Sequence, residues 1–235
     1  MPKNLILTGG HTHRFDIAAP ALAALLHEQG IESDVTEDIE GGLATLAETG
    51  ADLLTVYALR WSMATGDKYA PHRARWAFTL SARGRRAIES HLARGGGLLA
   101  LHTALICFDD WPAWKDILGG VWRWGRSSHP PYGDVEVRFD DADHPVTRGL
   151  NAFHLRDEAY GDLDLDADVR PLMHARAATG DWQPALWTRE ASPGRVAVDT
   201  LGHDAGALDH AVHRRVVTRA ALWALGQRDP EIGLI

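Results

Sequence analysis

The sequence predicts a single α/β domain of three layers, α/β/α, built on a mainly parallel sheet. Three observations carry this. Short apolar runs of strand length alternate with segments of helical composition from residue 4 to residue 101, which implies parallel strands covered by helices on both faces. A late apolar run, Arg195 to Leu201, is again followed by a helical segment. The 235 residues are 45% apolar and 24% charged, ordinary values for one globular core. No repeat, low-complexity tract or composition shift marks a boundary, so one domain spanning 1–235 is expected.

The elements follow in order. Asn4 to Thr8 is an apolar run ending in Gly9-Gly10, a buried first strand and a tight turn. Ile17 to Gln29 has helical composition and Gly30 is its stop. Ile31 to Val35 predicts a second strand, Leu43 to Thr49 a helix and Ala51 to Tyr57 a third strand. Ser81 is an N-cap for a helix over Ala82 to Arg94, and Gly95-Gly96-Gly97 ends that helix before the strand Leu98 to Leu101. From Cys107 to about Asp134 the alternation breaks into an elaborated loop with one short helix, carrying Trp111, Trp114, Trp122 and Trp124. Val135 to Phe139, Val169 to His174 and Ala185 to Arg189 are strand candidates, with a turn at Asp143-His144-Pro145. Asp209 to Leu225 reads as a closing helix whose Val212, Val216, Ala220 and Trp223 recur at about one turn and face the sheet.

Charge and cysteine usage exclude several functions. A net charge of -8 provides no general attraction for phosphate backbones or anionic lipids, so neither nucleic acid nor membrane is expected as a partner. The apolar run within MPKNLILTGGHTH is too short for a signal-peptide core or a membrane span, and a cytoplasmic protein is expected. Cys107 is the only cysteine, which rules out an internal disulfide and a thiolate metal cluster; a metal would need histidine and carboxylate ligands. Thirteen histidines and nine tryptophans make such ligands and aromatic sugar platforms available.

Four predicted strands are each followed at once by polar residues: Gly9-Gly10-His11-Thr12-His13, Arg60-Trp61, His102-Thr103 and Gly202-His203-Asp204. In a parallel sheet the carboxyl ends of the strands share one edge, and ligands bind in the crevice outside it, so these segments should meet. Each residue also has a structural reading. His11 and His13 lie in a polar turn where histidine is solvated or caps a helix, although paired glycines let a backbone approach a ligand closely. His102 is either a buried imidazole satisfied by a carbonyl or a rigidly held functional group. Asp204 is a helix cap or a partner of His203. Asp157-Glu158-Ala159-Tyr160 is a solvated acidic pair or a source of one carboxylate. Of the four loop tryptophans, at least two belong to the core and one or two line a pocket mouth. His129-Pro130-Pro131 is a rigid exposed turn or part of that mouth. Cys107, flanked by apolar residues, reads as a small buried hydrophobe.

Taken together, Leu5-Ile6-Leu7-Thr8-Gly9-Gly10-His11, Gly97 to Ala104, Trp111, Leu118-Gly119-Gly120, His144 to Leu150, Asp157 to Tyr160 and Gly194 to Asp204 resemble, in the same order, the trehalose-utilisation (ThuA-like) family. The resemblance spans almost the whole chain. It implies the class I glutamine amidotransferase-like fold, a flavodoxin-like three-layer arrangement. That wider fold group often carries a nucleophilic cysteine at the turn after a central strand; here the corresponding turn holds His102. A glutamyl thioester requires a thiol, so glutaminase activity is not expected, and a shared fold does not carry function.

The resemblance further implies sugar catabolism alongside dehydrogenases that make 3-keto sugars. A keto group acidifies its neighbouring C–H bonds, so isomerisation, epimerisation or elimination of the glycosidic group needs a base, an acid and a group that stabilises an enediolate, with simple hydrolysis as a variant. On this reading His102 and His203 are acid/base residues or metal ligands, Glu158 is their carboxylate partner and Asp204 orients His203. His11, His13 and His129 bind substrate hydroxyls or complete a metal site, and Arg60, Trp61, Trp111 and Tyr160 shape the pocket. The cofactor is left open: a divalent metal such as zinc is one candidate, and with no HExxH spacing present the sequence alone shows no metal site. The expected partner is a small carbohydrate, with a homo-oligomer expected from the resemblance alone. The competing readings are a non-catalytic sugar-binding or regulatory protein, and a hydrolase with Cys107 as nucleophile.

Overall fold

The architecture is taken from a computed structural model, which describes residues 1–191 and 193–232. The parallel strands arise from the apolar runs: β1 (Lys3–Gly10), β2 (Glu32–Thr36), β3 (Leu53–Leu59) and β4 (Gly97–Leu101). Later strands are β5 (Gly120–Val121), β6 (Gly133–Phe139), β7 (Phe153–Asp157), β8 (Asp164–Leu165), β9 (Pro171–Ala177), β10 (Gln183–Ala191) and β11 (Gly194–Asp199). Nine of them form one sheet in the order β2-β1-β3-β4-β11-β10-β9-β6-β7. Its first five strands are mutually parallel, and β3 and β4 are buried at every residue, as central strands covered on both faces must be.

The expectation of a mainly parallel sheet holds for that half. The other half is antiparallel: β10, β9, β6 and β7 add through successive antiparallel pairings. The reason lies in the connections, because only two residues separate β10 from β11, too few for the helical crossover that a parallel neighbour requires. The fold is therefore mixed α/β.

The helices are α1 (Phe15–His27), α2 (Ile39–Thr49), α3 (Arg73–Trp76), α4 (Ala82–Ala93), α5 (Pro112–Leu118), α6 (Ala205–Asp209), α7 (His213–Ala224) and α8 (Asp229–Ile232). Helices α1, α6 and α7 contact one another, while α2 contacts α4; both groups also contact the parallel strands. Ser81 caps α4 by accepting from the Gly84 N–H at 3.0 Å, a contact that stabilises a helix by about 1 kcal/mol. The closing helix is shorter than the expected Asp209 to Leu225. His210 is extended, with ψ 125, and its Nδ1 accepts from Val212 N and His213 N, so the chain turns and restarts as α7. Val216, Ala220 and Trp223 are buried on α7, which packs on β4 and β11.

Candidate functional site

The carboxyl ends of β1, β4 and β11 build the site, and each does so through unusual backbone. Gly10 has φ +138, and a Cβ there would lie 2.2 Å from the Leu59 carbonyl oxygen, so only glycine lets the end of β1 lie flush with β3. The turn continues through Thr12 at φ 71 and presents His11 and His13. Strand β4 ends in His102 at φ 48, which begins a 3-10 turn over His102–Leu105. A non-glycine residue in this left-handed region costs on the order of 1–3 kcal/mol, strain that is concentrated at functional sites. His102 is fully buried, and its Nδ1 contacts the Thr200 carbonyl at 2.8 Å.

Beyond β11 the chain passes Gly202, at φ 106, and reaches His203. Asp157, at the end of β7 and 1% exposed, locks this segment: its carboxylate accepts from Gly202 N at 2.8 Å, His203 N at 3.2 Å and Glu158 N at 2.7 Å. The Tyr57 hydroxyl donates to the Gly202 carbonyl from beneath. Asp157 thereby fixes His203 and the adjacent Glu158 together.

Four side chains meet as a result. His13 Nε2 is 3.3 Å from His102 Nε2, Glu158 Oε2 is 3.6 Å from His102 Nε2, and His203 Nδ1 is 3.3 Å from Glu158 Oε2. Tyr160 stacks on His102 with centroids 4.6 Å apart, its hydroxyl 3.1 Å from Nε2. The electrostatics follow from this crowding. Burial, together with the imidazoles of His102 and His203, pushes the His13 pKa down to about 3. Burial opposes the Glu158 charge, yet the imidazoles of His102 and His203 outweigh it and hold the carboxyl well below its usual range. Burial likewise opposes the His203 charge, and Glu158 outweighs it, so its pKa is raised.

His13, Glu158 and His203 of the cluster form part of the wall of a cavity of about 340 Å³, within the size range of small-molecule sites, and His102 lies buried behind them. One aromatic wall is a stack of Trp61 on Trp124, centroids 5.8 Å apart, with Tyr69 edge-on to both. Trp122 lies edge-on to Tyr160, and its buried indole N–H has no hydrogen-bond partner among the described residues. His11, His72 and His129 complete the rim.

The structure brings together most of the residues singled out from sequence. His13, His102, Glu158 and His203 form the cluster, and His11, Trp61, His129 and Tyr160 line the same cavity. His129 Nδ1 is 3.6 Å from Glu158 Oε1. Three residues sit elsewhere. Trp111 stacks on Trp114 and lines a neighbouring cavity. Arg60 turns toward Glu37 and the Trp76 ring. Asp204 caps α6 by accepting from Ala207 N at 3.1 Å and also accepts from the Tyr132 hydroxyl, so its carboxylate is occupied, while the His203 backbone is positioned by Asp157. Cys107 is 1% exposed, donates to the Ala58 carbonyl and has its thiol pushed up to about 12, chiefly by burial, conditions that disfavour a nucleophilic thiolate. Sequence reasoning missed Asp157 as the anchor, and missed Tyr69 and His72, which come from a 3-10 turn over Ala70–His72 and the residue before it, a segment with no usable periodicity.

A family model described as trehalose utilisation (ThuA) matches residues 3–224. Among solved structures, a ThuA-like protein from Parabacteroides merdae superposes with a TM-score of 0.72 at 20% identity, covering 97% of this chain and 91% of that one. A ThuA-like protein from Bacteroides uniformis gives 0.67 at 19% identity, covering 100% and 96%. A protein from Salmonella typhimurium LT2, described as cytoplasmic, gives 0.61 at 14% identity, covering 95% and 97%. No curated protein matches the chain. Identities this low show a common fold. Among the described residues, no helix is long and apolar enough to cross a membrane.

Proposed function

The chain belongs to the trehalose-utilisation (ThuA) family, and from that premise we propose that it is a cytoplasmic sugar-catabolic enzyme acting on a disaccharide or keto-sugar derivative as an isomerase, lyase or hydrolase. The observation that carries this reading is a cluster of three imidazoles and one carboxylate, of which His13, His203 and Glu158 reach the wall of an aromatic-lined cavity while His102 lies buried behind them. Trp61, Trp124 and Tyr69 offer ring faces and edges against which a sugar packs. At the reacting end, Glu158 with His102 and His203 supplies the polarising and proton-holding groups that an enediolate requires. His11 and His129, on the cavity rim, are within the region where substrate hydroxyls would lie. The strand order β2-β1-β3-β4-β11 supports a flavodoxin-like three-layer arrangement, in which ligands sit outside the carboxyl ends of the parallel strands.

Incubation with 3-keto-trehalose or another 3-keto-glycoside, followed by NMR, tests the proposal. Turnover is expected, with a loss of at least about a hundredfold in His102→Ala. Saturable line broadening without product would identify a sugar-binding or regulatory protein instead. Neither turnover nor binding across a panel of keto-glycosides would end the carbohydrate reading.

A further inference from the structure

We propose that His13, His102, Glu158 and His203 form a binding site for one divalent transition-metal ion, with zinc as the preferred occupant. One ligand atom from each of the four lies within 4.8 Å of the other three. A tetrahedron with bonds of about 2.0–2.1 Å has edges of about 3.3–3.4 Å. The measured separations are 3.3 Å for His13 Nε2 to His102 Nε2, 3.6 Å for His102 Nε2 to Glu158 Oε2 and 3.3 Å for Glu158 Oε2 to His203 Nδ1. These three of the six edges match such a tetrahedron to within a few tenths of an ångström, and the four ligand atoms all lie within 4.8 Å of one another.

Hydrogen-bond accounting supports the same conclusion independently. His102 Nδ1 faces the Thr200 carbonyl at 2.8 Å, and a carbonyl only accepts, so Nδ1 carries the proton and Nε2 presents a lone pair. His13 Nδ1 faces the His11 carbonyl at 3.4 Å and the Thr12 hydroxyl oxygen at 3.3 Å. That hydroxyl already donates to the His11 carbonyl at 2.6 Å, so both neighbours of His13 Nδ1 act as acceptors. His13 Nε2 is therefore a lone pair as well. Two lone pairs face each other at 3.3 Å, an arrangement that repels unless an electrophile lies near both. His203 Nδ1 is buried 3.3 Å from Glu158 Oε2, and among the described residues it makes no hydrogen bond of good geometry. Backbone carbonyls that fix the tautomer of an imidazole are the usual outer support of metal-binding histidines. The Tyr160 hydroxyl, 3.1 Å from His102 Nε2, donates to that lone pair and is displaced from it when a cation binds.

Three imidazoles and one carboxylate form a nitrogen and oxygen set suited to zinc and its first-row neighbours, while magnesium and calcium prefer oxygen ligands. The site stands on these four side chains and not on the sugar reading. An ion held by these four side chains would supply Lewis-acid polarisation, and His129 and His11 line the same cavity.

The test uses the full chain, without a histidine tag, stripped by chelator and titrated with zinc chloride by calorimetry, with cobalt(II) absorption as a second probe. One equivalent of zinc per chain is expected, with a tetrahedral or five-coordinate cobalt spectrum. Glu158→Gln and His13→Ala should each weaken zinc binding at least about tenfold. His174→Ala, at a histidine paired with Asp140 outside the site, should bind as the parent does. Because a variant is able to misfold, the parent alone also decides: its Tm should rise with added zinc by mass action. Absence of stoichiometric binding to the parent, or equal binding by the parent and both folded site variants, would overturn the proposal. Neither measurement involves a sugar, so a failure here leaves the carbohydrate reading to its own test.

Discussion

Replacing Asp157 by asparagine removes one acceptor from a buried position where three backbone donors converge. The carboxylate is 1% exposed and accepts from Glu158 N at 2.7 Å, Gly202 N at 2.8 Å and His203 N at 3.2 Å. An asparagine of the same shape keeps one oxygen. With its oxygen toward Gly202, the amide NH2 confronts Glu158 N and His203 N; with the opposite flip it confronts Gly202 N. Either way one or two buried N–H groups lose their acceptor, at about 1–3 kcal/mol each. A loss of about 2–4 kcal/mol is expected. For a chain of this length that corresponds to a fall in Tm of roughly 4–16 °C, since 1 kcal/mol shifts Tm by about 2–4 °C. Differential scanning calorimetry reads the shift. Because the same contacts align His203 and Glu158, keto-sugar turnover should fall further than the lost folded fraction explains at a temperature where the variant is fully folded. A Tm within about 2 °C of the parent, with unchanged turnover, would falsify the anchoring role.

Three further outcomes follow from the same structure. His213 and Asp199 form a pair at 3.0 Å with both side chains at 0% exposure, so His213→Ala should cost about 3–5 kcal/mol by leaving a buried carboxylate unpaired. Burial opposes the His213 charge, but Asp199 outweighs it and raises the pKa above the ordinary 6.5; this contribution to stability is whole below pH 6.5 and is lost as pH rises through the folded value. Urea unfolding of parent and variant across that range should show the gap narrowing upward in pH, and a widening gap would contradict the assignment. Cys107, buried with its thiol pushed up to about 12, should resist iodoacetamide in the native protein and react after denaturation; rapid native labelling coupled to loss of turnover would restore it as a nucleophile. Trp124→Ala should weaken keto-sugar binding by about 0.5–1.5 kcal/mol, or roughly 2–13-fold, through loss of the stacked face next to Trp61, and unchanged affinity would place the sugar elsewhere.

What was legible in the sequence, and what was not, divides along physical lines. Parallel strands bring their carboxyl ends to one edge, so a polar residue directly after an apolar strand is located by topology alone. His13, His102 and His203 were found that way. The antiparallel half of the sheet was less legible. Strand β7 alternates buried and exposed residues with period two, a visible pattern, but where its end falls depends on pairing at the far edge of the sheet, and no local signal encodes that.

The finer assignments turn on single backbone angles. In Gly10-His11-Thr12-His13 the sequence does not distinguish the two imidazoles; the positive φ of Thr12 turns His13 into the cluster and leaves His11 against His72 on the rim. In Asp157-Glu158 the last residue of β7 buries its carboxylate on backbone donors, and the next, one step past the strand, points its own carboxylate at three imidazoles. Two adjacent acids that composition treats alike thus have opposite tasks. One holds the chain and the other faces the chemistry, and the left-handed His102 at the end of β4 is where both constraints meet. The strain at that residue is sustained because the Thr200 carbonyl, Tyr160 and Glu158 over-determine its ring from three sides, which is the condition under which an unfavourable backbone persists.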